Sequence, residues 1–463
     1  MEEAARLAQT RSTPENNSAK RNMTSTTKIL RYAVTAAIII LVAGLAGWYF
    51  FLNKQGQAIT ATDAGRGLGS PLPFGGETGS TYDNVSGSDA SLKTGGEGKA
   101  VPRLWRVTKT PVAGMGFVMA ADSASSATSS VQLYFAERGT GYILKADLKT
   151  GSLTRLTNKL FPKVYEAVFG SDGAFVLRSM DDEGHILSFA GKVPGQNVSA
   201  SSSPVAATTA LSGNYLGRNI RAVVPNQQTH ELLLLVPQTG GGSDVILSSW
   251  NGAVQKTLFS SPLSGWKLFS LSDGRIFLSL APSDDTAGYA FEIQNGELIL
   301  RLRDIPGLTF LPRTLSGAAL FGQSDGGDVS LFFSPKEGVG ATSLPIRTVA
   351  DKCVWAPPPV PQSGKQAKAT SPGPLIAYCA VPDNFPSKNF LADWYMGAIH
   401  TSDTWWRIDA GTGEATPVLE PGDMDQEFDV ENPMIDSAGE QIAFMDARDK
   451  SLWLLRINAP EKP

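Results

Sequence analysis

The chain has 463 residues, a formal charge of −4 and 18% charged residues, with 47 glycines and 29 prolines. Glycine and proline at this density interrupt helices and exclude a mostly helical protein of this size. The near-balanced charge, with no basic stripe, argues against nucleic acid as a partner.

Residues 1–28 are polar and read as a cytoplasmic disordered tail. Ile29–Leu52 follows, with no charge between Arg31 and Lys54. As a helix, Tyr32 to Leu52 would be about 32 Å long, enough to cross the hydrocarbon of a bilayer. This span is expected to be a transmembrane helix. Lys20, Arg21, Lys28 and Arg31 precede it and only Lys54 directly follows, so the N-terminus is expected in the cytoplasm and the bulk outside it. A cleaved signal peptide is the rival, but its apolar core is usually only about 7–15 residues. An uncleaved signal anchor is therefore expected.

Residues 53–100 are rich in Gly, Ser, Thr and Asp and poor in large apolar residues, which is linker composition. The cluster Gly65-Arg-Gly-Leu-Gly69 has no preceding strand and no following amphipathic helix, so it does not read as a phosphate loop.

From about Arg103 onward, short apolar runs alternate with two classes of turn. Leu148-Lys-Thr-Gly151, Asn251-Gly252, Asn295-Gly296 and Ala410-Gly-Thr-Gly413 form one class, where glycine supplies the positive φ of a tight hairpin. Ser171-Asp-Gly173, Ser272-Asp-Gly274, Ser316-Gly317 and Ser437-Ala-Gly439 form the other. The classes alternate, so each unit reads as a four-stranded antiparallel meander. Units begin near Lys109, Pro162, Arg218, Gly265, Leu308, Ala350 and Phe428, mostly at a blade-like spacing. Such meanders bury their apolar faces only against one another, which predicts an all-β, seven-bladed β-propeller over residues 101–463. The last unit shows three strands, and Arg103–Thr108 is the expected fourth, closing the ring. Two packed β-sandwiches are the structural rival.

Pro433-Met-Ile-Asp-Ser-Ala-Gly-Glu-Gln-Ile-Ala-Phe-Met-Asp-Ala-Arg-Asp-Lys-Ser-Leu-Trp-Leu-Leu455 resembles a WD40-like (PD40, TolB-type) propeller repeat. It has the Ser-Asp-Gly-type turn, the Ile-Ala-Phe strand and a strand ending in an aromatic. The other units match more loosely. The whole layout is similar to uncharacterised single-pass, membrane-anchored propeller proteins of candidate-phylum bacteria. Those share Thr110-Pro-Val-Ala-Gly114, Tyr378-Cys-Ala-Val-Pro382, a pair like Trp394-Tyr395 and a Ser-Leu-Trp ending. The resemblance implies a propeller at the cell surface and no particular activity.

Cys353 and Cys379 are too few for a disulfide-built scaffold or a four-ligand zinc site. Outside the cytoplasm they are a disulfide candidate; the other reading is two separate buried thiols on neighbouring strands. His185, His230 and His400 lie in or beside predicted turns and are expected to face solvent. No His-Glu-x-x-His helix or Gly-x-Ser-x-Gly elbow is present, so no catalytic residue is assigned. In extended chain, Asp423, Asp425, Glu427 and Asp429 would share one side and form a weak calcium candidate, against a solvated connecting loop. Asp181-Asp-Glu183 and Asp284-Asp285 read as hydrated hairpin tips.

The sixth unit carries two insertions. One contains the stiff run Pro357-Pro-Pro-Val-Pro361. The other, Asp383–Thr404, carries Phe385, Phe390, Trp394 and Tyr395. These four are the candidate binding residues, because aromatics give large contact area at low entropic cost. The alternative is that they fold inward as a satellite core. Trp405 and Trp453 fall on predicted strands and are expected to pack blades together.

The expectation is a membrane-anchored, extracytoplasmic, non-enzymatic binding or scaffold module for a cell-envelope protein or glycan, without a cofactor. The alternative is an extracytoplasmic propeller enzyme, a glycan lyase or hydrolase. That class needs titratable groups clustered at the channel mouth.

Overall fold

The computed structural model describes residues 101–120, 130–193, 211–336, 340–359, 371–419 and 426–458. The tail, the expected membrane span at 29–52 and the linker lie outside them. No helix among the described residues is long and apolar enough to cross a membrane.

The described residues form seven four-stranded antiparallel sheets, six of them built from four consecutive strands. Their first strands are Val112–Ala120, Val164–Phe169, Ala222–Asn226, Trp266–Ser270, Thr309–Pro312, Cys353–Trp355 and Val430–Ile435, here called blades 1 to 7. Each begins within a few residues of the start expected from the turn pattern. First strands of neighbouring blades touch one another, for example in blades 1 and 2 or blades 6 and 7, so they form the inner ring. This is a seven-bladed propeller, and the two-sandwich rival is set aside.

The seventh sheet takes three strands from the end of the chain and its fourth from Leu104–Thr108. Leu104 faces Leu455, Trp105 faces Leu454 and Arg106 faces Trp453. Arg103 Nη2 extends the seam by donating to the carbonyl of Ile457 at 3.0 Å.

The turn glycines take the backbone that the sequence pattern demands. Gly151, Gly252 and Gly413 have φ of 72°, 73° and 78°, and Asn295 and Gly296 are both positive, as a two-residue type I′ hairpin requires. The Ser316-Gly317 turn differs: its positive φ falls on Leu315, at 56°. Apolar faces meet between blades. Ile143, Phe175 and Phe189 join blades 1 and 2, Leu331, Phe333, Trp355 and Ile408 join blades 5 and 6, and Trp405, Phe444 and Trp453 join blades 6 and 7. Each such side chain contributes roughly 1.5–3 kcal/mol by leaving water. The inner ring is tight as well: a Cβ at Gly114 would lie 2.0 Å from the carbonyl oxygen of Ala167, which only glycine tolerates.

Because strands alternate in direction, connections between strands 2 and 3 open on the same face as those between one blade and the next. We call this the upper face.

Candidate functional site

A charged cluster lies where blades 6 and 7 begin, on the upper face. A 3-10 turn, Ala350–Lys352, delivers Lys352 just ahead of the inner strand of blade 6. Asp403 opens the third strand of the same blade, Asp403–Asp409. Asp429 immediately precedes the inner strand of blade 7. All three side chains are fully buried.

Lys352 Nζ donates to Asp403, to Asp429 Oδ1 at 2.7 Å and to Thr401 Oγ1 at 2.7 Å. It also lies 5.0 Å from the centre of the Trp394 ring, a cation–π distance. Thr401 offers its hydroxyl proton to Asp403 at 2.7 Å or Asp429 at 3.0 Å. Asp403 further accepts the backbone N–H of Val430 at 2.7 Å. Asp429 accepts Trp394 Nε1–H at 2.9 Å, and its Oδ2 lies 3.1 Å from His400 Nδ1. The His400 side chain is 26% exposed, so this pair leads from the buried cluster toward solvent.

Burial pushes the Asp403 carboxyl above the usual range; Lys352 opposes that shift and the neighbouring Asp429 charge reinforces it. One ammonium thus serves two carboxylates, one of which resists ionising. Around them, Asp429 N–H donates to Asp446 Oδ1 at 3.1 Å, and Arg448 Nη2 donates to the carbonyl of Thr401 at 2.8 Å. Burial also raises the Asp446 carboxyl, against the opposing backbone N–H groups of Asp429 and Arg448.

The aromatic insertion roofs this cluster. Its helix, Phe390–Tyr395, is six residues long and is held by three blades. Asp284, from blade 4, accepts the backbone N–H of Ala392 at 2.8 Å and of Leu391 at 3.3 Å. Phe390, Leu391 and Trp394 are buried against Val329 of blade 5 and Val349, with Phe385 and Tyr395 partly covered. Asp351, beside Lys352, pairs with Lys267 on the inner strand of blade 4 and accepts the Tyr395 hydroxyl. Gly327, at φ 88°, makes room below: a Cβ there would lie 2.9 Å from Lys388 Cα. The insertion therefore runs from blade 6 over blade 5 to blade 4.

This arrangement revises the candidate residues one by one. Phe385, Phe390, Trp394 and Tyr395 pack in series with centroids 4.8 Å, 6.2 Å and 5.0 Å apart, the middle pair stacked and the outer two edge-on. They form the satellite core, so Phe390 and Trp394 do not offer contact area to a partner. Among the exposed residues of the insertion, the large apolar one is Met396, 60% exposed. The two described members of the calcium set part company: Asp429 turns inward to Lys352, whereas Glu427 faces Arg448 at 3.3 Å near the surface. Asp423 and Asp425 lie outside the described residues. Asp284 is a helix cap rather than a hydrated tip, because the insertion comes down onto it. Cys353 and Cys379 form a disulfide between paired positions of the first two strands of blade 6. Trp405 and Trp453 are buried between blades.

Of the histidines, His230 sits at a hairpin with φ 55°, and His400 is the one drawn into the cluster. His185 shares a blade 2 hairpin with Asp181 and Glu183, its Nδ1 3.3 Å from each carboxylate. Elsewhere, a crevice of ≈ 230 Å³ between blades 4 and 5 is lined by Arg275, Glu292 and Arg301 among others. Its charges are paired, Arg301 to Glu292 at 2.6 Å and Arg275 to Asp273 at 2.9 Å.

Sequence reasoning missed Lys352, Asp403 and Thr401. The available signal was positional: once blades are aligned, Lys352 and Asp429 both fall just before an inner strand, and Asp403 falls at the upper end of a third strand.

No family model matches the chain, and no curated protein matches it. Among solved structures it is similar to YCF48 from Cyanidioschyzon merolae, at 9% identity over 77% of this chain and 98% of that one, with a TM-score of 0.46. It is also similar to the β-propeller domain of the Trilobed protease from Pyrococcus furiosus, at 9% identity over 75% and 99%, TM-score 0.42. A third is oligogalacturonate lyase from Vibrio parahaemolyticus, at 9% identity over 76% and 98%, TM-score 0.42. At these identities the likeness is one of propeller fold alone.

Proposed function

We propose that this propeller is a non-enzymatic binding platform, held outside the membrane by the anchor at 29–52, for a protein or glycan of the cell envelope. The observation that carries the reading is the closure of the charged cluster. Lys352, Asp403 and Asp429 are fully buried and bonded to one another under the insertion, so they do not face a substrate. The rigid insertion then serves as a raised feature on the upper face, with Met396 on its outside. The Cys353–Cys379 disulfide supports the location, because such bonds persist in oxidising compartments.

The test is capture of envelope proteins and glycans by the full-length chain, compared with its Met396→Asp variant. A defined partner held at least tenfold less well by the variant is the expected result. Absence of any partner, or equal capture by both chains, overturns the assignment of this surface. Protease shaving of intact cells that leaves residues 101–463 untouched would overturn the location.

The enzyme reading, a glycan lyase or hydrolase, rests on one observation: the partly exposed His400 beside Asp429. Cleavage of envelope glycans by the full-length chain, lost on His400→Ala, would replace the binding reading.

A further inference from the structure

We propose that Lys352 and Asp403 join in an intramolecular isopeptide bond, with Asp429 as the proton relay, so that blade 6 is cross-linked by an amide as well as by its disulfide. The inference is independent of what the propeller binds.

Amide formation between two side chains needs a primary amine against a carboxyl carbon, a second group to move protons, and exclusion of water. The cluster supplies all three. Lys352 Nζ is held on the Asp403 carboxyl from inside the same blade. Fixed contact of this kind replaces a bimolecular encounter by a high effective concentration. Asp429 touches the same nitrogen at 2.7 Å. Both carboxylates and the ammonium have no exposed side-chain surface, and the buried Trp394 ring covers Lys352 and donates to Asp429. Burial favours the uncharged acid at Asp403, which is the form that the amine attacks.

The two carboxylates have different surroundings, and this assigns their roles. Asp429 Oδ1 faces Lys352 while its Oδ2 faces His400, whose ring reaches the surface. It therefore sits on a path from the amine to solvent. Asp403 is bonded to Lys352, Thr401 and the Val430 backbone and is the carboxyl whose protonated form burial favours.

The step balances without a co-reactant. Lys352 begins as the ammonium, Asp403 as the neutral acid and Asp429 as the carboxylate. Asp429 takes one proton from the ammonium. The freed nitrogen lone pair attacks Cγ of Asp403, forming the C–N bond. Asp429 returns its proton to the departing hydroxyl, the C–O bond breaks and water leaves. Asp429 then takes the second proton from nitrogen, leaving a neutral amide, and His400 connects that proton to solvent.

The experiment is intact-mass spectrometry of the full-length chain, fully reduced and denatured, followed by proteolytic mapping. The expected mass is lower than the sequence mass by one water, with a branched peptide joining the segments that contain Lys352 and Asp403. A mass equal to that of the sequence overturns the proposal, and this readout needs no variant to fold. A branch joining Lys352 to Asp429 would overturn the assignment of Asp403. Asp429→Asn is expected to lose the branched peptide while retaining both segments unlinked. Complete cross-linking in that variant would overturn the relay role.

Discussion

Blades 3 and 6 share one topology and are stabilised by different means. Blade 3 rests on an apolar second strand: Leu232, Leu233, Leu234 and Leu235 are buried in it and pack on both neighbouring blades. Blade 6 also has a buried second strand, Ile376–Pro382, but adds a disulfide, the buried Lys352 joined to Asp403 and Asp429, and a roofing insertion. The comparison teaches that a repeat's strands and its upper connections are governed separately. Strands are held by non-directional burial, which any well-packed blade supplies. The connections of blade 6 are held by directional bonds, which fail abruptly when one partner is lost.

The widest separation between the two blades is expected from Lys352→Ala. It removes the partner of the two buried acids, whether that partner is held as an ion pair or as the proposed amide, and should cost at least about 3–5 kcal/mol in urea unfolding. A loss below about 1 kcal/mol would mean that the charges contribute little. Next comes the double change Cys353→Ala and Cys379→Ala. Opening a loop with a sequence separation of 26 should cost about 3.5 kcal/mol in the chain-entropy model, read from the same unfolding curves. In blade 3, Leu233→Ala should cost about 2–5 kcal/mol by leaving a cavity, with no dependence on pH. A pH-dependent loss there would erase the proposed contrast. A smaller effect is expected for Asp284→Ala, about 1 kcal/mol, because one helix end loses its cap. That loss should show as faster proteolysis within 383–402 before the ring unfolds.

The smallest effect is a slope. The native Asp446 carboxyl is raised by burial, so it keeps its proton to a higher pH than the unfolded chain does. Between the two values the native state binds more protons, and stability falls as pH rises from about 4 through the native value. Asp446→Asn should flatten that fall in urea midpoints measured across the range; an unchanged slope would assign it to other groups.

Much of the ring was legible because turn chemistry and strand alternation are local. Asn295-Gly296 and Gly173 announce hairpins through backbone requirements that three or four residues carry. The closing strand was legible too, since the last unit was one strand short. The cluster was not, because its members are 49 and 77 residues from Lys352 and meet only through blade geometry. Asp429 was misread for the same reason: within Asp423–Asp429 it looks like one more solvated acid, and nothing nearby in sequence marks it as the partner of a buried lysine. The insertion's aromatics carried the correct apolar signal, but composition does not say whether such a group faces a partner or its own blade. Val329, Val349 and Asp284, contributed from elsewhere, decide it.

The pairing of Leu104–Thr108 with Leu452–Arg456 has a consequence for biogenesis. Leu104–Thr108 emerges from the ribosome well before its partner and must wait, edge bare, until Leu452–Arg456 has been made. Premature termination before Leu452 would strand Leu104–Thr108 without a mate and leave Phe444 and Met445 uncovered beside it, an invitation to strand exchange between nascent molecules.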